Sequence, residues 1–386
     1  MNSSSPNRRV ASNLLLQGGI LYRNPIVEFA PDGEILSVER CEMGSEDRLD
    51  RSPHTEFYSG IMVAGFVNTH CHLELSYLRG AIEPGGGFAR FASRIGEVRG
   101  SFSDEERVRA ISRAEAEMLR EGVAAVGDIV NGDSTFASKS RSDIMYRNFA
   151  ELFGLRTNDT SAVDPLLQQP LTSATPHSTY SLNDHIFRHI AHNGDAAPLS
   201  IHFMESPAEH ELYIGEGRLA EWYARAGFEC DFLHYGSPAE RLVASVPADR
   251  SVILVHNCCV TQRDIDIIMS HFTAPVYWVL CPRSNSYISD LRPPTELLRR
   301  NSLNICIGTD SLASNSSLSI IEELKLLNNT PLAERLDWAT RVGAEALGFN
   351  HLGEIEVGRR PGINILSGID YTSLQLTDST TLRRII

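Results

Sequence analysis

No apolar run in this 386-residue chain reaches the roughly 18 residues that a membrane helix needs, so no membrane partner is expected. A CxxC pair is also missing. The seven cysteines are odd in number, and two of them, Cys258 and Cys259, are adjacent. That usage suits reduced thiols and a cytoplasmic protein better than a disulfide framework. The opening stretch MNSSSPNRRVASNLLLQGG carries a basic pair, Arg8 and Arg9. Its LLL is too short for the apolar region of a signal peptide, and a disordered leader is expected instead. Positive charge is scarce. Lys and Arg total 35 against 49 Asp and Glu, a formal net charge of -14. Such a field repels polyanions and argues against nucleic acid as a partner. A small substrate with one acidic group stays compatible, because a local arginine can bind it. The glycine run GGGF, residues 85–88, is followed by no P-loop lysine and fits no GxGxxG. It reads as a flexible lid in which Phe88 and Phe91 could close over an aromatic substrate. Neither a short internal repeat nor a low-complexity tract is present.

What is there is a chain long enough for a large core, with 42% hydrophobic residues. Both ends read as hairpin strands: NLLLQGGILY and PIVEFAPDGEILSVE at the start, GEIEVGRRPGINILSGID near the finish. They predict one small β-sandwich built from residues 1–60 and 350–386. The middle, residues 61–349, contains eight short apolar runs: IMVAGFVN, GVAAVGDIV, IMYRNFAELFG, LTSATP, APLSIHFMES, SVILVHN, VYWVLCP and LNICIGTD. Helical segments separate most of them. The clearest is SDEERVRAISRAEAEMLREG, with Ser103 as N-cap, Glu106 as its capping-box partner and Gly122 as the stop. Eight strands with crossovers predict an α/β fold with a (β/α)8 TIM-like barrel; an open doubly wound sheet is the alternative. Polar residues cluster after most of the strand runs, where such barrels hold their sites.

His70 and His72 in VNTHCHLE lie two residues apart at the end of the first run. Residues i and i+2 of a strand share a face, so both imidazoles point the same way and could chelate a transition metal. The pair alone is weak. Three other strand ends add His202 with Glu205 three residues on (IHFMES), His256 (LVHN) and Asp310 (CIGTD). Four different strands would then bring three kinds of metal-binding or proton-transferring group to one mouth.

With VNTHCHLE, PHSTYS, IHFMESPAEHE, LVHNC, CPRSN and GTDSLASN spread over residues 65–318, the chain resembles the amidohydrolase superfamily, in its cytosine/adenosine deaminase branch. Within that branch the motifs look most like deaminases of adenosine derivatives. These include the S-adenosylhomocysteine/methylthioadenosine and aminodeoxyfutalosine enzymes. The resemblance implies a hydrolytic aminohydrolase that uses hydroxide on one divalent metal to release ammonia from a heteroaromatic amine. The implied ligands are His70, His72, His202 and Asp310. Binuclear members carry a carboxylated lysine near strand four; here LTSATPHSTYS has none, which favours one ion. Zinc suits three nitrogens and one carboxylate, and iron(II) would accept the same set.

The implied catalytic residues are Glu205, His256 and Asp310. Asp310 would take the proton of the attacking water. His256 would orient that water or stabilise developing charge. Glu205 would shuttle a proton to the ring nitrogen and then to the leaving amine. A structural role for Glu205 is that it opens the following helix, but Glu209 and Glu211 are available for that. His177 resembles the branch's substrate-contacting histidine. Arg156, Arg283 and Glu74 are further candidates for substrate contact, weighed against ordinary surface roles. Ser311 and Asn315 are expected to shape the loop after Asp310. Arg79, Arg90, Arg94, Arg156 and Arg283 lie in or near the rim segments and would suit a substrate with a carboxylate tail. Two rivals remain: another hydrolysis on the same scaffold, of a chlorotriazine, imidazolone or formimino group, and a non-catalytic barrel that only binds. A homodimer is expected from the general habit of soluble enzymes.

Overall fold

The computed structural model describes residues 6–43, 54–193 and 197–386. Strand formation begins early: β1 (Arg8–Gln17) pairs antiparallel with β2 (Ile20–Phe29), and β2 with β3 (Ile35–Cys41). The disordered leader expected over this opening stretch is contradicted from Arg8 onward, where the chain is a paired strand. Arg8 is held by Glu56 and Arg9 by Glu39, which fixes the start of β1. Residues 1–5 lie outside the described part.

β4 (Thr55–Ala64) runs parallel to β1 and antiparallel to β13 (Ile363–Ser367), which in turn pairs with β14 (Thr381–Arg384). Both chain ends thus meet in one six-stranded sheet of order β14-β13-β4-β1-β2-β3. Its alternating apolar residues, Val10, Leu15, Val27, Phe29, Ile35, Met62, Ile363 and Ile365, form a core of their own. This is the period-2 burial of a strand with one covered face.

Eight more strands follow in the middle of the chain. β5 (Phe66–Cys71), β6 (Val123–Val130), β7 (Met145–Leu152) and β8 (Thr172–Pro176) form one parallel sheet in that order. β9 (Leu199–Phe203), β10 (Val252–His256), β11 (Val276–Leu280) and β12 (Asn304–Ile307) form a second. Isolated parallel bridges join the two at both seams, Ser178 to His202 and Cys71 to Asp310. These strands are buried almost throughout, as expected for parallel strands covered on both faces.

The first apolar run, IMVAGFVN, divides into two strands in different sheets. Its break is Gly65. A Cβ there would lie 2.7 Å from the Pro361 carbonyl oxygen and closer still to Ala124 Cβ, so only glycine lets the chain cross between the sheets. The helix Asp104–Arg120 forms as its sequence predicts. Glu106 N–H donates to Ser103 Oγ at 3.3 Å, and Ser103 N–H donates to Glu106 Oε2 at 2.8 Å. Gly122, at φ +75°, follows its end. Ile111, Ala114 and Met118 supply its buried stripe.

Candidate metal centre and active site

β5 delivers His70 and places His72 just beyond its last residue, on one face of the strand. β9 delivers His202. The ring of His70 lies 4.9 Å from each of the other two, centroid to centroid. His72 Nε2 and His202 Nε2 are only 3.3 Å apart. Asp310 follows β12 in a left-handed backbone conformation, φ +57°. Two amides, of Thr309 and Asp310, donate to the His70 carbonyl and tie that loop to β5. Asp310 Oδ1 then sits 3.6 Å from His72 Nε2 and 3.8 Å from His70 Nε2.

These four residues fit a divalent metal ion. Both ring nitrogens of His70 are buried with no hydrogen-bond partner, which is costly unless something else occupies them. Ligand atoms of His70, His72 and His202 all lie within 4.8 Å of one another. Tetrahedral zinc with bonds of about 2.0–2.1 Å sets its ligands roughly 3.4 Å apart, close to the observed His72–His202 spacing. The protonation states agree. Burial first, and then the neighbouring histidines, push His72 down to about 3 and His70 well below its usual range. Both keep a free lone pair at neutral pH. His202 Nδ1 lies 3.0 Å from the His177 carbonyl, which fixes its proton there and leaves Nε2 for a metal.

A second group, Glu151, His177 and His202, also has ligand atoms within 4.8 Å. It shares His202, whose remaining nitrogen is the one bonded to the His177 carbonyl, so this group offers no second lone pair from that ring. Only two lysines occur in the chain. Lys139 is ion-paired to Asp128 at 2.5 Å and Lys325 to Glu322 at 2.6 Å. Neither is placed among the histidines.

Around this cluster stand groups suited to proton transfer. Glu205, in the turn after β9, points Oε1 at His256 Nε2 from 3.9 Å. Burial, and then the charge of Asp310, raise its carboxyl well above the usual range. Glu209, in the helix that follows (Pro207–Tyr213), is engaged instead with the turn before it and with a neighbouring loop: Met204 N–H donates to its Oε2 at 2.6 Å and Thr179 Oγ to its Oε1 at 2.5 Å. Burial pushes the Glu209 carboxyl up to about 7. His256 ends β10 at φ +80°, and burial pushes it down to about 3. Asp310 Oδ2 accepts hydrogen bonds from Ser284 Oγ and Ser314 Oγ, both at 2.6 Å. Burial raises its carboxyl, but His72, His256 and the two serines outweigh this and hold it below the usual value.

His177 stacks on His202, with centroids 4.5 Å apart, and lies between Phe153 and Tyr180. Its Nδ1 has no partner, and burial pushes the ring down to about 4. Glu74 Oε2 accepts from Asn131 N–H at 3.0 Å, and burial raises its carboxyl to about 7. Arg156 is engaged elsewhere. It donates to the Ala226 carbonyl at 2.9 Å and lies over the Phe228 ring. Arg283 donates to Asn315 Oδ1 at 3.0 Å and Ser316 Oγ at 2.6 Å, so it braces the loop after Asp310. Asn315 also donates to Thr309 and Glu323, and shapes the same loop. Of the other rim arginines, Arg79 pairs with Glu117, Arg90 with Glu83 and Arg94 with Glu97. In the glycine-led helix Gly87–Val98, Phe91 packs on Leu78, Ile82 and Ala313, and Phe88 faces Tyr180.

Sequence reasoning missed Ser284, Asn285, Ser314 and Glu151. The first two sit in CPRSN, where only the arginine drew attention. The available signal was a hydroxyl and an amide in the first turn of a helix that a proline opens just after a strand end.

Residues 61–382 match the Amidohydrolase family, and the chain belongs to it. Among individual relatives it is similar to the adenosine deaminase of Helicobacter pylori, 26% identical over 359 residues that cover 86% of each chain. It is also similar to the 5-methylthioadenosine/S-adenosylhomocysteine deaminase of Saccharophagus degradans, 24% identical over 89% of this chain and 78% of that one. Among solved structures, the Helicobacter pylori aminofutalosine deaminase in complex with methylthio-coformycin superimposes with a TM-score of 0.77. It is 22% identical and covers 96% of this chain and 93% of that one, a likeness of fold. No helix among the described residues is long and apolar enough to cross a membrane.

Proposed function

We propose that this protein is a metal-dependent hydrolytic deaminase of an adenine nucleoside derivative. In this reading the eight central strands close into a (β/α)8 barrel over residues 61–349. A small β domain, from residues 1–60 and 350–386, flanks it. One zinc ion would be held by His70, His72, His202 and Asp310, with iron(II) as the other fitting metal. The observation that carries the reading is the division of labour between two glutamates. Glu209 takes the backbone and hydroxyl donors around the helix start, and Glu205 is left facing His256 beside the histidine cluster.

A bound ion would lower the pKa of a water it holds from about 15.7 towards 7 and so supply the nucleophile. The chain's own groups do the rest. Asp310 accepts the water proton through Oδ1, because Oδ2 is already filled by Ser284 and Ser314. His256 steadies the charge that develops on the attacking oxygen. Glu205, whose carboxyl burial and the charge of Asp310 raise well above the usual range, donates to the ring nitrogen next to the attacked carbon. Asp310 then hands the water proton to the exocyclic amine, which leaves as ammonia, while Glu205, now a carboxylate, takes back the proton of the new hydroxyl as the carbonyl forms. General acid–base steps of this kind contribute about 10²–10⁴-fold. His177, with a free Nδ1 and aromatic neighbours, contacts the substrate, and Glu74 lines the same rim. Arg156 and Arg283 support the walls rather than bind an acidic tail. The names of the relatives support the adenine class: adenosine in one, methylthioadenosine and S-adenosylhomocysteine in another.

The test is a coupled ammonia-release screen of the zinc-loaded protein. The panel holds adenosine, 5′-methylthioadenosine, S-adenosylhomocysteine, aminodeoxyfutalosine, cytosine, guanine and several pterins. Saturable release from an adenine nucleoside is expected. Silence across the panel with one zinc per chain, and chloride release from a chlorotriazine, would move the reading to a different leaving group. Absence of bound metal would favour a binding module.

A further inference from the structure

Asn285 is 2% exposed and His256 1% exposed. The Asn285 amide nitrogen lies 3.0 Å from His256 Nδ1. Among the described residues no other hydrogen bond reaches the His256 ring, and its Nε2 faces Glu205 from 3.9 Å. Asn285 sits in the first turn of the helix Pro282–Ser289, one residue after Ser284, which bonds Asp310. Two neighbouring side chains on one helical turn therefore hold two different groups of the site. Both possible orientations of the Asn285 amide leave something unpaired. As placed, one Nδ2–H donates to Nδ1, and the other N–H and the Oδ1 acceptor lack partners. With the amide turned over, Oδ1 would accept from Nδ1–H and the whole NH₂ group would be buried without acceptors. An unpaired carbonyl oxygen is the less costly defect.

We propose that Asn285 is a positioning residue that fixes His256 as its Nε2–H tautomer, so that this histidine works as a hydrogen-bond donor towards the reaction centre and not as a base. A neutral imidazole carries one proton. A donor on Nδ1 forces that proton to Nε2, the nitrogen aimed at Glu205 and the cluster. His256 then meets negative charge on the attacking oxygen with an N–H already in place, and a donor so arranged costs no reorganisation during the reaction. The proton-accepting work stays with Asp310 and Glu205. This inference rests on the deaminase reading for its kinetic test and not for its spectroscopic one.

Zinc-loaded protein labelled with ¹⁵N-histidine is examined by long-range ¹H–¹⁵N correlation, with the His256 signals identified by their loss in His256→Gln. The Nε2–H pattern is expected in the wild type; an Nδ1–H pattern overturns the proposal. Asn285→Asp supplies an acceptor in place of the donor and should convert His256 to Nδ1–H. With 5′-methylthioadenosine, kcat should fall on the order of 10²-fold while KM stays within about threefold. Zinc should remain at one per chain. A folded, zinc-replete Asn285→Asp protein with unchanged kcat would also overturn the assignment. If that variant does not fold, the wild-type spectrum decides by itself. If the wild type releases no ammonia from any adenine nucleoside of the panel, the deaminase reading has failed, and the tautomer is still read directly; if it acts on another member, that one replaces 5′-methylthioadenosine in the kinetic test.

Discussion

Glu205 and Glu209 lie four residues apart, one before the helix Pro207–Tyr213 and one within it, and should fail in different ways when each is changed to glutamine. Glu205→Gln replaces a carboxyl that burial favours in its neutral form by a neutral isostere. Its side chain is about one-tenth exposed, and the neighbouring backbone donors go to Glu209. Folding should therefore change by less than about 1 kcal/mol. Turnover should fall by about 10²–10⁴-fold, the contribution of a lost general acid–base group. At about 1.4 kcal/mol per decade, that is roughly 3–5.5 kcal/mol of transition-state stabilisation. Glu209→Gln presents an NH₂ group to either Met204 N–H or Thr179 Oγ–H. One buried donor then loses its acceptor, at a cost of about 1–3 kcal/mol in stability. The chemical step should survive in the molecules that fold. Urea unfolding, zinc content and ammonia release from 5′-methylthioadenosine read the two effects separately. Glu205→Gln retaining turnover within about threefold of wild type, at full zinc, would refute the proton-shuttle assignment.

Three further outcomes are expected. His70→Ala should lose the metal; a dialysed variant that keeps one zinc per chain would remove His70 from the ligand set. Gly65→Val should fold poorly or destabilise by more than about 3 kcal/mol, because its side chain would overlap Ala124 and the Pro361 carbonyl. Metal-free protein should be most stable in a plateau between about pH 4.5 and 6.5, read as the thermal midpoint across pH. Below it, His72, His177 and His256, held at about 3 to 4, must be protonated on unfolding, so the unfolded state binds more protons and stability falls with pH. Above it, Glu74, Glu209 and Glu323, raised to about 7 to 8, keep protons that the unfolded chain releases, so stability falls as pH rises. A midpoint that rises steadily from pH 5 to 8 would contradict this balance.

The metal cluster was legible because strand parity is a local rule. His70 and His72 share a face whatever surrounds them, and GTD and IHFMES each announce a polar residue at the end of an apolar run. The rim arginines were not legible in the same way. Their charge is written in the sequence, but their partners are remote: Arg79 meets Glu117, and Arg156 meets the carbonyl of Ala226. The division of IMVAGFVN at Gly65 had no periodic signal, since both halves are apolar and the cause lies in contacts with Ala124 and Pro361. Ser284 and Asn285 were hidden for a related reason. A serine or asparagine in a helix's first turn normally serves that turn, and only the packing of the strand ends reveals that these two face Asp310 and His256.

The meeting of the two chain ends in one sheet has a consequence for biosynthesis. β4 finds β1 within the first 64 residues, but its other edge pairs with β13, about 300 residues later. At about 5–20 residues per second, a ribosome takes roughly 15–60 s to make that stretch. During this time the apolar strand Ile61–Ala64 has one open edge, the geometry that templates mispairing between nascent chains. The Arg8–Glu56 and Arg9–Glu39 pairs flank the early strands with charge and can form before the rest of the chain emerges.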